Sequence, residues 1–572
     1  MEKKITLKKQ KIIKAKTQKI HCFWEKWSQE KFENFFNETS LKKPKKYLIY
    51  IKNLKNIFYN EIFIKEKEKK LWKIRKSDNG IIKTAQKKNL ILINIGSFIP
   101  KVSVEEFKKM FLNNYLIHNK SSLGDWAFAI LCQKRPDLFK LCPNLINKKN
   151  HKGKETYNFL RNSIVGGWLM NFQICKGKMG HAIDQNSSYG SAMVREKMPV
   201  GLPLQDITGH LNIKDALTKG LMGFVKLRVR NLHYVGKHYP WLAKKNKTFH
   251  NKTEYPQEYG DGYLKPMHTP LLKRLLKDYK GTIEYVRFLV FKHIEGEKLF
   301  GKVIEQCQNW KNNFPKGTWQ NVAGKMIPNV LYGYLGINFI TEKYEWTEGY
   351  EKPKGILSFK EDDKYVWLEK VKKVNKGSYN YQPLSVAISS YSLLNIIKEA
   401  VKYKKKNLLA VRTDAIYLTE APNKTEIHAT KLGAWKIKEN IAIITGTDLS
   451  LHYCEDGKYT SKVFGWKQSK EFTKEQWDLL LKQGYLYVYS DNEIATENGI
   501  KNHRQRMVIW LDKESSHLAQ ENEDFAQQSQ FQQSRIIADK EQYLERCIKQ
   551  GNLNEREINS LRKKLEKLGD FW

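Results

Sequence analysis

The sequence predicts a mixed α/β (α+β) fold built from several packed units, and three features carry that prediction. At 572 residues the chain is too long for one hydrophobic core, so about two to four units are expected. From residue 181 to 420 short apolar runs, turn residues and amphipathic stretches alternate in the manner of strands followed by helices. Two long helical stretches stand out: 302–313 leading into 316–335, and 384–403, where Leu384, Ile388, Tyr391, Leu394 and Ile397 form one apolar stripe.

Taken in order, residues 1–90 alternate basic helical stretches with short apolar runs such as YLIYI at 47–51. LILINIGSFI at 90–99 reads as a buried strand closed by Pro100, and 102–117 as a helix by its apolar spacing. Pro136 and Pro143 break the segment 121–147, and a basic loop at 147–154 precedes a helix ending near Gly166-Gly167. A short apolar lead places Asp184 at a strand end, and a tight turn through Asn186–Ser188 starts a helix near Tyr189. The stretch 340–383, rich in Lys and Glu, reads as an irregular hairpin or insertion. Two apolar β-runs flank Arg412-Thr413-Asp414, giving a hairpin over 407–420 with Asp414 at its turn. After residue 505 the chain reads as polar and helical. It has a Gln-rich patch at 520–533, a helix stopped by Gly551, and a last helix with Ile558, Leu561, Leu565 and Leu568 on one face.

Charge indicates the partner. There are 102 Lys+Arg against 60 Asp+Glu, a formal net charge of +42. Such an excess repels itself unless polyanions are near, and nucleic acid is the usual intracellular polyanion. Lysine also accumulates in AT-rich coding sequence, but 15 Trp, 29 Tyr and 26 Phe add rings on which bases can stack. The seven cysteines are scattered and form no CxxC pair, so neither a disulfide framework nor a zinc site is indicated. No apolar run approaches the roughly 20 residues that span a bilayer, and the Lys-rich start MEKKITLKKQKIIKAKTQKI reads as a solvated arm. The expectation is a soluble intracellular protein, in the cytoplasm or a nucleoid-like compartment, with the mitochondrial matrix as the alternative.

Three segments carry chemistry. In HAIDQNSSYGSAMVREKMPVGLP at 181–203, Asp184 stands at a strand end beside a helix N-terminus, which suits a magnesium site that also handles phosphates. In GKMIPNVLYGYLG at 324–336, Lys325, Asn329, Tyr332 and Gly336 recur on one helix face. That face offers a cation for a triphosphate, an amide, and a ring beside Gly333. In NLLAVRTDAIYLTE at 407–420 the hairpin can point Asp414 at Asp184. Two carboxylates sharing divalent ions are what nucleotidyl transfer requires.

In this order the segments resemble motifs A, B and C of family B DNA polymerases, DxxSLYP, KxxxNxxYG and DTDS. Motif B matches through Lys325, Asn329, Tyr332 and Gly333; motif A keeps Asp184, Asn186, Ser187 and Tyr189. Gly166-Gly167 before motif A and KLGAW at 431–435 are similar to features of the protein-primed branch found in phages and linear plasmids. The resemblance implies a right-hand fold with palm, fingers and thumb. It is preceded at 1–165 by a basic, degenerate exonuclease-like domain. Palm with insertion would occupy 166–300, fingers 301–340, an insertion 341–383, palm again 384–465, and thumb with C-terminal helices 466–572.

The resemblance also implies roles. Asp184 and Asp414 would be catalytic carboxylates holding two Mg²⁺ or Mn²⁺ ions, with the Gln185 carbonyl as a third metal ligand. Tyr189 would gate the sugar, and Lys325 would bind the triphosphate, with Lys311 or Lys316 as the second phosphate-binding cation. Asn329, Tyr332 and Gly333 would line the nascent base pair, and Gly166, Gly167, Lys311 and Arg412 would lie near nucleic acid. Implied partners are DNA, with RNA as a second polyanion, dNTPs and a terminal priming protein.

The sequence departs from the pattern in motif C, where Arg412 replaces the first Asp and Ala415 the Ser, and in motif A, where Ser188 and Gly190 replace Leu and Pro. No DxE motif occurs in residues 1–180, and VSVEEFKKMFLNN at 102–114 is similar to the last exonuclease motif with Asn113 at the Asp position. Proofreading is expected to be absent. A DNA-templated polymerase is the leading expectation. One alternative is a polymerase-derived nucleic-acid-binding protein without catalysis, in a ribonucleoprotein or replication complex. Another is an altered nucleotidyltransferase, template-independent or defence-related.

Overall fold

The computed structural model describes residues 19–24, 46–51, 73–76, 82–87, 90–94, 99, 102–114, 122–146, 151–161, 163–245, 253–337, 340–349, 351, 358–361, 364–374, 379–446, 450–462, 472–496 and 499–512. They form a mixed α/β structure, and the chain divides into two compact units. One comprises Met1–Pro136, Lys302–Tyr334 and Glu493–Lys501; the other comprises Asp137–Gly301, Leu335–Asn492 and Asn502–Trp572.

In the first unit, strands β1 (Lys19–Trp24), β2 (Lys46–Ile51), β3 (Lys73–Lys76), β4 (Ile82–Lys87) and β5 (Leu90–Asn94) form one sheet in the order β1-β2-β5-β4-β3. Pairing is parallel from β1 through β2 to β5 and antiparallel from β5 through β4 to β3. The helix expected from 102 spans Val104–Asn113, capped by the Ser103 hydroxyl accepting the Glu106 N–H at 3.1 Å. Leu123–Lys134 follows, capped by Ser122 and ending before Pro136 as expected.

The second unit holds a seven-stranded sheet. Its strands are β6 (Leu169–Asn171), β7 (Cys175–Gln185), and β18 (Leu408–Arg412) to β22, in the order β22-β21-β20-β7-β19-β18-β6. Here β19 is Ala415–Leu418, β20 Trp435–Thr445, β21 Leu451–Glu455 and β22 Lys458–Lys462. One buried cluster joins its strands through Ala182, Leu409, Tyr417, Ile443 and Tyr453. Between β7 and the helix Gly296–Asn313 the chain builds a second sheet. It comprises β8 (Lys197–Thr208), β9 (Gly223–Tyr234), β12 (Glu258–Tyr259), β13 (Gly262–His268) and β14 (Tyr279–Glu295), after the short pair β10 (Lys244–Lys245) and β11 (Thr253–Glu254). The insertion expected at 340–383 is a three-stranded antiparallel sheet of β15 (Ile340–Gly349), β16 (Ser358–Glu361) and β17 (Lys364–Val374).

Several expectations change. The helix expected at 384–403 spans Gln382–Ala400, and it is buried all round except near Asn395 and Lys398, not along one stripe. Its small residues Ser385, Ala387, Ser389 and Ser390 let packed elements approach on every side. The basic loop expected at 147–154 gives way to a helix over His151–Leu160, which ends six residues before Gly166. The helix expected from 302 begins at Gly296, whose Cβ would fall 2.0 Å from the Met193 carbonyl. Beyond 505 the chain continues as strand β24 (Gly499–Trp510), paired with β23 (Tyr485–Thr496). The Gln-rich patch and the helices expected around Gly551 and Ile558–Leu568 lie outside the described residues.

Candidate active site

Asp184 is the penultimate residue of β7, flanked across the ladder by Ala415 of β19 and Lys436 of β20. The β18–β19 hairpin closes with Arg412 opposite Ala415, leaving Thr413-Asp414 as its turn. The Gln185 N–H donates to the Asp414 carbonyl at 2.8 Å. Asp414 is thus one residue beyond the partner of Asp184, and directly opposed residues lie roughly 4.5–5.5 Å apart. The fold carries both acidic residues to the same end of two adjacent strands.

The turn is unusual. Thr413 has φ +56°, a left-handed conformation rare for a β-branched residue. Its N–H donates to the Trp168 carbonyl at 3.0 Å, and the Asp414 N–H donates to the Arg412 carbonyl at 2.6 Å. A Cβ on Gly167 would fall 2.7 Å from the Thr413 methyl and hydroxyl, whereas one on Gly166 would meet nothing within 4 Å. The linker therefore crosses the turn only because Gly167 has no side chain. Tyr255 fixes that linker: its hydroxyl donates to the Gly167 carbonyl and accepts the Leu169 N–H, each at 3.1 Å. Burial raises the Tyr255 phenol above its ordinary pKa, against the Leu169 hydrogen bond and the charge of Arg412.

Arg412 donates to the carbonyls of Met170 at 3.2 Å and Val411 at 2.8 Å, and to the Asn171 side-chain oxygen. The Asn171 amide donates in turn to the carbonyls of Gly446 and Ser450 at 2.6 and 2.8 Å. Arg412 thus joins a polar net tying β18, β6 and the approach to β21. Behind it His452 is fully buried, stacked on Phe472 with ring centroids 4.8 Å apart. Burial first, and the positive charge of Arg412 second, push its imidazole down to about 3.

The motif A turn is fastened from behind. Ser187 takes φ +53°, and the Ser188 hydroxyl lies 2.7 Å from the Gln185 side-chain oxygen and from the Ser392 hydroxyl of the buried helix. Asn186 donates its N–H to the Ala434 carbonyl at 2.8 Å, accepts the Gly433 N–H at 2.9 Å, and sends its side-chain amide to the His428 carbonyl at 2.7 Å. The KLGAW segment is therefore the backing of motif A. Gly433, at φ +74°, has no room for a Cβ against the Ser191 hydroxyl. Tyr189 lies half-buried in the helix Ser188–Arg195.

The remaining predicted residues belong to the other unit. On the helix Trp319–Leu335, Lys325 and Asn329 are exposed one turn apart, followed by half-buried Tyr332 and Gly333. A Cβ on Gly333 would meet nothing within 4 Å. Lys316 is exposed in the turn before this helix, and the half-buried Lys311 lends its carbonyl to the Asn321 amide at 2.7 Å. The helices cross where Gly324 approaches the Cys307 carbonyl, beside stacked Trp126 and Trp310, with Trp319 edge-on to Trp310. Asn113 turns back to donate to the Lys109 carbonyl at 2.9 Å, a bond a carboxylate lacks the proton to make.

Structure brings Asp184, Gln185, Tyr189, Asp414, Arg412, Gly166 and Gly167 into one unit and Lys311, Lys316, Lys325, Asn329, Tyr332 and Gly333 into the other. It adds Asn171, Tyr255 and Lys436, which sequence reading missed. No local signal marks Tyr255, 88 residues beyond Gly167; Asn171 and Lys436 follow only from strand register.

The family model for DNA polymerase type B, organellar and viral, matches residues 99–382. A probable DNA polymerase of Neurospora intermedia is 26% identical over 341 residues, covering 54% of this chain and 33% of that protein. One of Ascobolus immersus is 27% identical over 353 residues, covering 58% and 26%. The chain thus spans a third or less of the curated relatives it matches. Among solved structures, Phi29 DNA polymerase complexed with primer-template DNA and incoming nucleotide superposes with a TM-score of 0.61 at 15% identity, covering 85% of this chain and 93% of that one. Its binary complex with primer-template DNA gives 0.60. Family match, fold and motif order agree: over residues 99–382 the chain is similar to the type B DNA polymerases of the organellar and viral kind, and its fold is similar to that of Phi29 DNA polymerase.

Proposed function

We propose that the chain is a DNA-directed DNA polymerase primed from a protein hydroxyl, with Asp184 and Asp414 as its catalytic carboxylates. The observation that carries this reading is the placement of those two residues at one end of adjacent strands, locked by the hydrogen bond from Gln185 to Asp414. The donor set fits divalent ions. Carboxylate oxygens and a backbone carbonyl are hard ligands suited to Mg²⁺ or Mn²⁺, which take few protein carboxylates and fill the rest of their sphere with phosphate and water. When bound, two such ions lower the pKa of the attacking 3′-hydroxyl and neutralise the triphosphate and leaving pyrophosphate.

The residues divide the remaining work. Asp184, the Gln185 carbonyl and Asp414 hold the ions, and Tyr189 packs under the sugar to exclude a 2′-hydroxyl. Lys325, with Lys311 or Lys316, neutralises the triphosphate, while Asn329, Tyr332 and Gly333 line the nascent base pair. Gly166 and Gly167 steer the template-primer. Phi29 DNA polymerase, a structural neighbour, is complexed with primer-template DNA and incoming nucleotide in its solved structure, and the same substrates are proposed here. Asn113, an amide where an exonuclease needs a carboxylate, supports a chain without proofreading.

The test is extension of a primed template with Mg²⁺ or Mn²⁺ and all four dNTPs, run beside Asp414→Ala. Extension that falls about a thousandfold or more in the variant supports the polymerase. Arg412 in place of an acidic residue favours a second reading, a polymerase-derived nucleic-acid scaffold. No extension by either protein, with tight nucleic-acid binding retained, would establish that reading instead.

A further inference from the structure

The sheet β12-β9-β14-β8 carries a feature that nucleotidyl transfer leaves unused. Along β9, Val225, Leu227 and Val229 are fully buried, whereas Lys226, Arg228 and Arg230 project from the opposite face. Alternate strand residues stand roughly 7 Å apart, comparable with the spacing of successive phosphates along an unstacked nucleic-acid strand. Tyr263 of β13 sits directly across from Arg228. Its ring is 61% exposed, with the Lys226 ammonium 5.0 Å and the Arg228 guanidinium 5.8 Å from its centroid. Glu284, opposite Arg228 on β14, is an acidic neighbour of the stripe, and its contact at 4.0 Å is long and exposed; Asp206 is already paired with Arg287, opposite Lys226, at 2.6 Å. A pair such as Glu284 with Arg228 contributes little and yields readily to a phosphate. Thr282, opposite Arg230, adds a neutral neighbour.

We propose that Lys226, Arg228, Arg230 and Tyr263 form a second nucleic-acid-binding surface. It takes a single strand by its phosphates, with a base stacked on Tyr263. A regular row of cations neutralises consecutive phosphates, and the exposed ring adds sequence-tolerant stacking. The chemistry is shared by DNA and RNA. A partner protein with an acidic face is the competing occupant; the regular spacing of the three cations along one strand favours the evenly spaced phosphates of a single strand.

Fluorescence anisotropy with labelled thirty-residue oligothymidylate and oligouridylate, across a salt series on the full chain, tests this. For the Lys226→Ala/Arg228→Ala/Arg230→Ala variant, the slope of log affinity against log salt is expected to be shallower by about 2, from about 0.7 per lost phosphate contact. An effect on both oligomers assigns the surface to phosphates in general; an effect on one names DNA or RNA. Tyr263→Ala is expected to weaken binding about tenfold with the slope unchanged, and Arg228→Lys/Arg230→Lys to keep the wild-type slope. An unchanged slope in the triple variant at wild-type melting temperature overturns the proposal. If the triple variant does not fold, undiminished affinity in Tyr263→Ala overturns it equally. Asp414→Ala is expected to keep the wild-type slope, so this surface and the catalytic site stand or fall separately.

Discussion

Gly166 and Gly167 are adjacent and chemically identical, yet the structure asks different things of them. A methyl at Gly167 collides with Thr413, whose left-handed backbone already strains the turn bearing Asp414, while a methyl at Gly166 meets open space. Gly167→Ala should therefore destabilise the protein by about 1–3 kcal/mol, as overpacking does. Gly166→Ala should stay within roughly 0.5 kcal/mol. Urea unfolding compares the two, and equal midpoints would mean that the linker does not press on the turn. Tyr255 acts on the same linker from the other side. Removing its hydroxyl strands the Leu169 N–H, so Tyr255→Phe is expected to cost about 1–3 kcal/mol. On the proposed function it should lower the extension rate while leaving template affinity intact; a fall in affinity alone would remove Tyr255 from the positioning of Asp414.

At the level of elements, buried histidines connect sheet and pH. His452 of β21 is packed on Phe472, and neither of its ring nitrogens meets a partner among the described residues. His268 of β13 and His293 of β14 face each other through their Nε2 atoms at 3.3 Å, with Tyr391 edge-on to His268. Burial lowers the pKa of all three, assisted by Arg412 at His452, by His293 at His268 and by Lys197 at His293. The folded state thus keeps them neutral while the unfolded chain takes up protons near pH 6.5. Stability is complete above that pH and declines as pH falls towards the folded value, which for His452 is about 3. Each such histidine contributes a slope of up to about 1.4 kcal/mol per pH unit. Melting temperature should therefore drop from pH 7.5 to 5.0, and His452→Phe should flatten that decline; an identical slope in the variant would exclude His452 as a source. These histidines were not legible in the sequence, because nothing local distinguishes a buried His from an exposed one. The elements around the carboxylates were legible: alternating apolar runs with turn residues between them placed the strand ending at Asp184 and the hairpin carrying Asp414. The helix Gln382–Ala400 was placed correctly, but its burial on nearly every side was hidden behind serines whose hydroxyls bond within the core. What escaped was tertiary: Tyr255 on the glycine linker, Asn171 under Arg412, and KLGAW behind Asn186 are contacts between segments that no periodicity links.

For the molecule as a whole, the decisive quantity is the +42 formal charge. If lysine reflects codon composition alone, the charge is spread without regard to ligand, and few cations would contact phosphate at once. If the charge serves a polyanion, several contacts form together and release their counterions together. On the reading proposed above, the regular row on β9 and the exposed Lys325 belong to the second alternative. The two cases differ in a slope, not in an affinity. A chain making six to ten phosphate contacts should lose about 10³–10⁵ in affinity for a duplex between 50 and 200 mM salt. Anisotropy titrations of a primed template across that range measure it directly. The chain is expected to show the steep decline with or without divalent ions, because counterion release does not depend on catalysis. A loss of less than tenfold over that range would mean that the lysines are largely compositional. The nucleic-acid reading would then rest on the carboxylate site alone.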